Sequence, residues 1–193
     1  MTIAPPRPPR SRRQIATPSV LTGEELYAQG DIGRAELIKG EITPMSPTGY
    51  MHGFIEGNFY AAIREVVLSK QLGQTLVGEV GIYTHRNPDT VRAADVTFIS
   101  TGRMAQVKSR SYLDVAPELV VEVMSPDDRW SGVMEKLAEY FQAGVLAVWV
   151  ADPASEQVFI YRSLTDVEQL SPEDTLTGGE ILPGFAVKVS DFF

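Results

Sequence analysis

The chain predicts an α/β domain, a mixed central sheet flanked by helices, and three features carry that expectation. Leu119-Val120-Val121-Glu122-Val123-Met124 and Leu146-Ala147-Val148-Trp149-Val150-Ala151 are short, almost continuous apolar runs, the pattern of strands covered on both faces. Between them, residues 130–143 repeat Val133, Leu137, Tyr140 and Phe141 at helical spacing. A longer helical pattern over 48–71 supplies a second covering layer.

Taken in chain order, residues 1–18 hold five prolines and no apolar period, which predicts a disordered leader. Residues 19–193 then read as one domain. Thr22-Gly23-Glu24-Glu25 has capping-box spacing and opens a short helix that stops by Gly30. Residues 35–45 read as a hairpin turning at Lys39-Gly40. Ser46-Pro47 introduces the long helix, whose stripe is Met51, Ile55, Phe59, Ala62, Ile63 and Val66, with Gly73 as its stop. Extended segments follow at about 75–84 and 94–100, then the strand near 119–124, the helix 130–143 capped by Asp127 and Asp128, and the strand 146–151. Residues 157–162 and the last twenty or so read as short strands and turns. Trp130 and Trp149 are expected as packing residues.

Composition narrows the chemistry. With 193 residues, 44% hydrophobic and 22% charged, the chain suits a single soluble domain. Without cysteine it has no disulfide framework or thiolate metal site, so any metal must bind through oxygen or histidine. No apolar stretch approaches the roughly 20 residues that cross a bilayer, and no signal-peptide pattern is present, so a cytoplasmic protein is expected. The net charge of −8 hides a basic leader carrying Arg7, Arg10, Arg12 and Arg13 on a still more acidic body. An acidic body speaks against a broad phosphate-binding surface.

Three charges fall where burial is expected. Glu122 interrupts the apolar strand, Asp95 lies at the start of Asp95-Val96-Thr97-Phe98-Ile99, and Lys136 lies within the buried stripe of the following helix. Removing an ionised group from water costs several kcal/mol unless it is paired or holds a metal. Two carboxylates meeting at strand ends suit a hard cation such as magnesium, and a nearby lysine suits orienting a water or offsetting charge on phosphorus. The alternative is a structural Glu122–Lys136 ion pair with no catalytic purpose, and Asp95 alone could cap a turn. A two-carboxylate glycosidase leaves Lys136 without a role.

Glu36-Leu-Ile-Lys-Gly-Glu41, Met45-Ser-Pro47 with His52, Ala94-Asp95-Val96, Pro117-Glu-Leu-Val-Val-Glu-Val-Met-Ser-Pro126, Lys136-Leu-Ala-Glu-Tyr140 and Trp149-Val-Ala-Asp-Pro153 together closely resemble the Uma-two family, part of the restriction-endonuclease-like PD-(D/E)XK superfamily of metal-dependent nucleases. The resemblance runs from about residue 20 to the end. It implies a restriction-endonuclease-like fold and Mg²⁺-dependent, or Mn²⁺-dependent, hydrolysis of nucleic acid, DNA foremost. It also implies that Asp95 and Glu122 are metal ligands. Ala94 stands where the pattern has proline, and Met124 stands where it has lysine; in this family the lysine's role has moved to the next helix, which points to Lys136. Of Glu36 and Glu41, alternation lets only one point inward easily, and Glu36 is the candidate against a solvated hairpin charge. His52 is a further candidate, with a core or capping histidine as the alternative. A homodimer would offer two sites for two strands. The rival to an enzyme is a binding module that keeps the fold and uses these charges as a structural ion-pair network.

Overall fold

The computed structural model describes residues 20–126 and 128–193; the predicted leader and Asp127 lie outside them. Thr22 closes both halves of its capping box with Glu25 and starts α1 (Gly23–Ala28). β1 (Ala35–Ile38) and β2 (Glu41–Pro44) form the expected hairpin around Lys39-Gly40.

The long helix α2 (Tyr50–Ser69) is shorter than the predicted 48–71 and buries His52, Ile55, Phe59, Ile63 and Val67. Packing on the sheet selects the row of residues four apart, so Met51 is left exposed, Val67 takes the place of Val66, and His52 is drawn under. Gly73 does not stop this helix. It begins the next strand, where a Cβ would collide with the backbone of Ile99 and Ser100.

β3 (Gly73–His85) and β4 (Thr90–Ser100) form a long antiparallel hairpin that outruns both predicted segments. The short helix α3 (Thr101–Met104) leads towards β5 (Leu119–Val123), α4 (Trp130–Ala143) and β6 (Ala147–Asp152), the one parallel neighbour of β5. β7 (Gln157–Tyr161) and β8 (Val167–Leu170) extend the sheet, and β9 (Thr175–Thr177) with β10 (Ala186–Lys188) forms a separate two-stranded sheet. Asp128 does not cap α4. Arg129 occupies the capping position without a side-chain bond, and the Asp128 carboxylate instead accepts the Ser125 N–H at 2.8 Å, closing the preceding turn. The structural reason is register: α4 begins at Trp130, which leaves Asp128 one residue too early.

The main sheet runs β2-β1-β4-β5-β6-β7-β8, with β3 on β4. α2 packs Ile55, Phe59 and Ile63 against Val96, Phe98, Val121 and Trp149 on one face, while α4 packs Val133, Leu137 and Tyr140 against Val120, Val148 and Val150 on the other. Alternation along β5 sends Val121 towards α2 and Val120 towards α4, and with Val120 goes Glu122. Trp149 is the packing residue expected; Trp130 is not, since it rests edge-on against Phe159 at 5.1 Å and stays 39% exposed.

One irregularity marks the pairing of β4. β3 covers one edge of β4 along its length, but the other edge is shared, with β5 pairing at Val96–Phe98 and β1 pairing at Val91. Between these contacts β1 and β5 part like the arms of a fork, and residues 92–95 of β4 face the gap.

α4 ends at Gly144, whose φ of 104° is a left-handed cap that an L side chain resists. Gly144→Ala should therefore lower unfolding stability by about 1–2 kcal/mol in urea titration with the slope unchanged.

Candidate active site

The fork leaves backbone amides without strand partners, and carboxylates take them. The Ala93 N–H donates to Glu36 Oε1 at 3.1 Å, and the Val123 N–H donates to Asp95 Oδ2 at 2.7 Å. Continuing the Val96–Val121 register by one step would set Asp95 opposite Glu122, but the backbone ladder stops there and the Asp95 side chain replaces a strand carbonyl. The result is a cleft of about 440 Å³ whose lining includes Glu36, His52, Asp95, Glu122 and Lys136. The five candidate site residues thus border one cleft, and Glu41 is exposed and not among its lining.

Glu122 is buried to 8% exposure and held from two positions on α4. Lys136 Nζ lies 3.1 Å from its Oε2, and Tyr140 donates its hydroxyl to Oε1 at 2.7 Å. Lys136 also reaches Glu36 Oε1 at 3.5 Å. Glu36 in turn accepts from Arg92 at 2.8 Å, and Arg92 donates through Nε and a terminal nitrogen to Glu139 at 2.6 and 2.8 Å. These contacts make one chain of charges, Glu139–Arg92–Glu36–Lys136–Glu122, which ties α4 to β1, β4 and β5.

The environment perturbs each group in a definable direction. Burial pushes the Glu122 carboxyl from 4.5 up to about 7, opposed by the Lys136 charge and reinforced by Asp95. Burial works to lower Lys136, but Glu122 and Glu36 more than offset it and hold the ammonium above its usual range. Burial also works to lower Arg92, and Glu139 and Glu36 override it. The Tyr140 phenol is raised, by burial first and by the Glu122 charge next, so it stays a donor.

A second cluster meets the first at Asp95. His52 Nε2 lies 3.4 Å from Asp95 Oδ2, and His52 Nδ1 lies 3.8 Å from Glu56 Oε2, one turn along α2. One ligand atom from each of His52, Glu56 and Asp95 falls within 4.8 Å of the others, a spacing that could hold a metal ion. Buried His52 Nδ1 has no hydrogen-bond partner among the described residues, as expected of an imidazole nitrogen in need of a ligand. Burial raises Glu56, which the neighbouring Asp95 charge reinforces; His52 is raised because the bond and charge of Asp95 outweigh its burial. One imidazole with two carboxylates fits a borderline-hard divalent cation.

Glu56, Arg92, Glu139 and the Tyr140 hydroxyl escaped the sequence reasoning. Arg92 carries the same contradiction as Glu122, a charge inside Val91-Arg92-Ala93-Ala94, but it falls ahead of where the strand was expected to begin. Glu56 had a signal in its i,i+4 spacing from His52. Glu139 had a signal in its i,i+3 spacing from Lys136, which puts both on neighbouring parts of one helix face. Tyr140 was read for its ring alone.

The family model for Uma2, described as "Putative restriction endonuclease", matches residues 23–190. The chain belongs to the Uma2 family. Its fold is similar to the crystal structure of "a putative nuclease belonging to DUF820" from Anabaena variabilis ATCC 29413, with a TM-score of 0.75, 19% sequence identity, and coverage of 90% of this chain and 97% of that one. At that identity the likeness is one of fold, and it agrees with the restriction-endonuclease-like architecture expected. No curated protein matches the chain. Among the described residues of this Uma2 protein, no helix is long and apolar enough to cross a membrane.

The raised Glu122 carboxyl has a sign-definite effect on stability. Between pH 4.5 and about 7 the folded state keeps a proton that the unfolded chain has released, so this group's contribution weakens as pH rises through that window. In urea titrations with EDTA present, the wild type should lose stability from pH 5 to pH 7 relative to Glu122→Gln, which lacks the titration; parallel curves would contradict the assignment.

Proposed function

We propose that this Uma2 protein hydrolyses phosphodiester bonds of nucleic acid, DNA foremost, with a divalent cation. The observation that carries the proposal is the convergence of Asp95, Glu122 and Lys136 on one cleft where the sheet forks, beside His52, whose buried Nδ1 has no hydrogen-bond partner among the described residues. His52, Glu56 and Asp95 would hold the cation, with Glu122 on the facing strand. A divalent cation held there would supply charge to neutralise phosphoryl oxygens and ease proton loss from water. Magnesium suits the carboxylates, and the imidazole shifts the preference towards manganese.

The chain's own groups would do the rest. Lys136, kept protonated by Glu122 and Glu36, donates hydrogen bonds to the attacking water or to a phosphoryl oxygen and offsets charge as it builds. Tyr140 and Lys136 fix the Glu122 carboxylate in place, and Arg92 fixes Glu36. Two copies would provide one site per strand of a duplex. A cytoplasmic setting is assumed.

The second reading is a non-catalytic binding module. Its support is that Lys136 and Arg92 already satisfy Glu36, Glu122 and Glu139, a network that can serve stability alone. Digestion of plasmid by EDTA-stripped protein, titrated with Mg²⁺ or Mn²⁺, separates the two. The enzyme should cleave only with metal and at least as well with manganese, and Asp95→Asn, Glu122→Gln and Lys136→Ala should each cost about 100-fold or more while circular dichroism stays native. Metal near 100 times its dissociation constant should stabilise the wild type by about 2.7 kcal/mol and leave Asp95→Asn unmoved. Absence of cleavage, with stability indifferent to metal, favours the module.

A further inference from the structure

Beside the cleft lies a larger cavity of about 650 Å³, more apolar in lining, which the proposed hydrolysis does not use. Its walls include Tyr50 and Met51 from the start of α2, Trp130 from the start of α4, and Pro153. Tyr50 is 86% exposed and Trp130 39% exposed, so two solvent-accessible aromatic rings front the same cavity. Phe159 braces Trp130 from one side in an edge-on contact, so the indole is held in place. The cavity and the cleft share Gly49, His52, Ser125, Pro126 and Asp128, and His52 belongs to the candidate metal cluster.

We infer that this cavity is a nucleobase subsite, which takes an unpaired base of the substrate strand next to the phosphate under attack. Charge argues for a base over a phosphate, because Asp128 and Asp152 are among the residues lining the cavity and no lysine or arginine among the described residues lines it. Carboxylate rims instead match the exocyclic amino groups of adenine or cytosine. Gly49, the N-cap of the 20-residue α2 without a side-chain cap, lines both spaces. The first-turn amides of α2 are thereby available to the phosphate that links a base in one cavity to the reacting phosphate in the other. A base stacked within a duplex cannot enter such a recess, so the favoured substrate is single-stranded or carries a flipped or unpaired nucleotide. That substrate also suits an acidic protein, since stacking on aromatic side chains supplies affinity that a basic groove would otherwise provide.

The inference deepens the phosphodiester reading and rests on it, but binding can be read without turnover. Trp149 is buried at 3% exposure, so ligand quenching of tryptophan fluorescence reports Trp130. Deoxyadenosine and deoxycytidine 5′-monophosphates contain no phosphodiester; with Mg²⁺ present they should quench the full-length protein saturably, whereas deoxyribose 5-phosphate should not. Tyr50→Ala should weaken that binding about fivefold or more. In digestion with metal, single-stranded oligonucleotide should be cut in preference to the matched duplex, and Tyr50→Ala and Trp130→Ala should raise KM more than they lower kcat. Quenching without any cleavage would sink the hydrolase reading while the subsite stands. Cleavage with no strand preference, and with both variants unchanged, would overturn the subsite alone. A dimer that Tyr50→Ala dissociates in sedimentation, with nucleotide quenching unaltered, would reassign the patch to contact between copies and likewise overturn it.

Discussion

The interruption of pairing along one edge of β4 is the constraint from which the rest of this structure follows. Past Val96 the strand loses β5 as a partner, and it regains β1 only at Val91. Buried amides cannot be left unbonded without a cost of about 1–3 kcal/mol each. Glu36 and Asp95 meet that requirement at Ala93 and Val123, which draws two carboxylates into the interior where the strands separate. The opening that exposes those amides is also the cleft, so one feature provides both the carboxylates and their access.

Carboxylates gathered in this way need positive charge. Lys136 and Arg92 provide part of it, and the way they do so couples the layers: each cation bridges two carboxylates, and the chain they form joins α4 to three strands. A break in such a buried set leaves a charge uncompensated, the costliest kind of single change in an interior. On the Asp95 side no lysine or arginine among the described residues forms an ion pair with Asp95 or Glu56; they flank the imidazole of His52 and accept the Val123 and Gly78 N–H groups, while Arg34, on the same lining, is paired with Glu79. A divalent cation would add positive charge between these two carboxylates. The cleft thus has two halves, one whose carboxylates pair with the protein's own cations and one whose ligand spacing could hold a metal ion.

Much of this was legible in the sequence because burial and charge conflict visibly there. Glu122 and Lys136 broke the apolar patterns of a strand and a helix, and the same criterion found Asp95. Strand alternation put Glu36 and Glu41 on opposite faces without choosing between them; Glu36, the candidate, is buried and Glu41 is exposed. Partnerships across layers were less legible. His52 and Glu56 meet Asp95 because α2 lies on the sheet along the row that seats Val67 and buries His52, an orientation that hydrophobic spacing alone leaves undetermined. Arg92 was hidden by a strand start placed four residues too late, and the fork itself depends on pairing between segments more than fifty residues apart, which local pattern does not encode. Trp130 looked like core because its residue type favours burial, whereas its place at the first turn of α4 leaves it beside the cavity mouth.

On the proposed reading, the two adjoining cavities would divide substrate recognition into a polar half for the phosphate and an apolar half for a base, joined at Gly49 and His52. Such a division reconciles a phosphate-handling site with a strongly acidic chain. Its foundation is the claim that the fork holds a divalent cation against Asp95. Crystals soaked in manganese and measured at its absorption edge test that claim most directly: an anomalous peak within coordination distance of His52, Glu56 and Asp95 is the result predicted, and saturating manganese that leaves those three side chains without a peak would contradict the account.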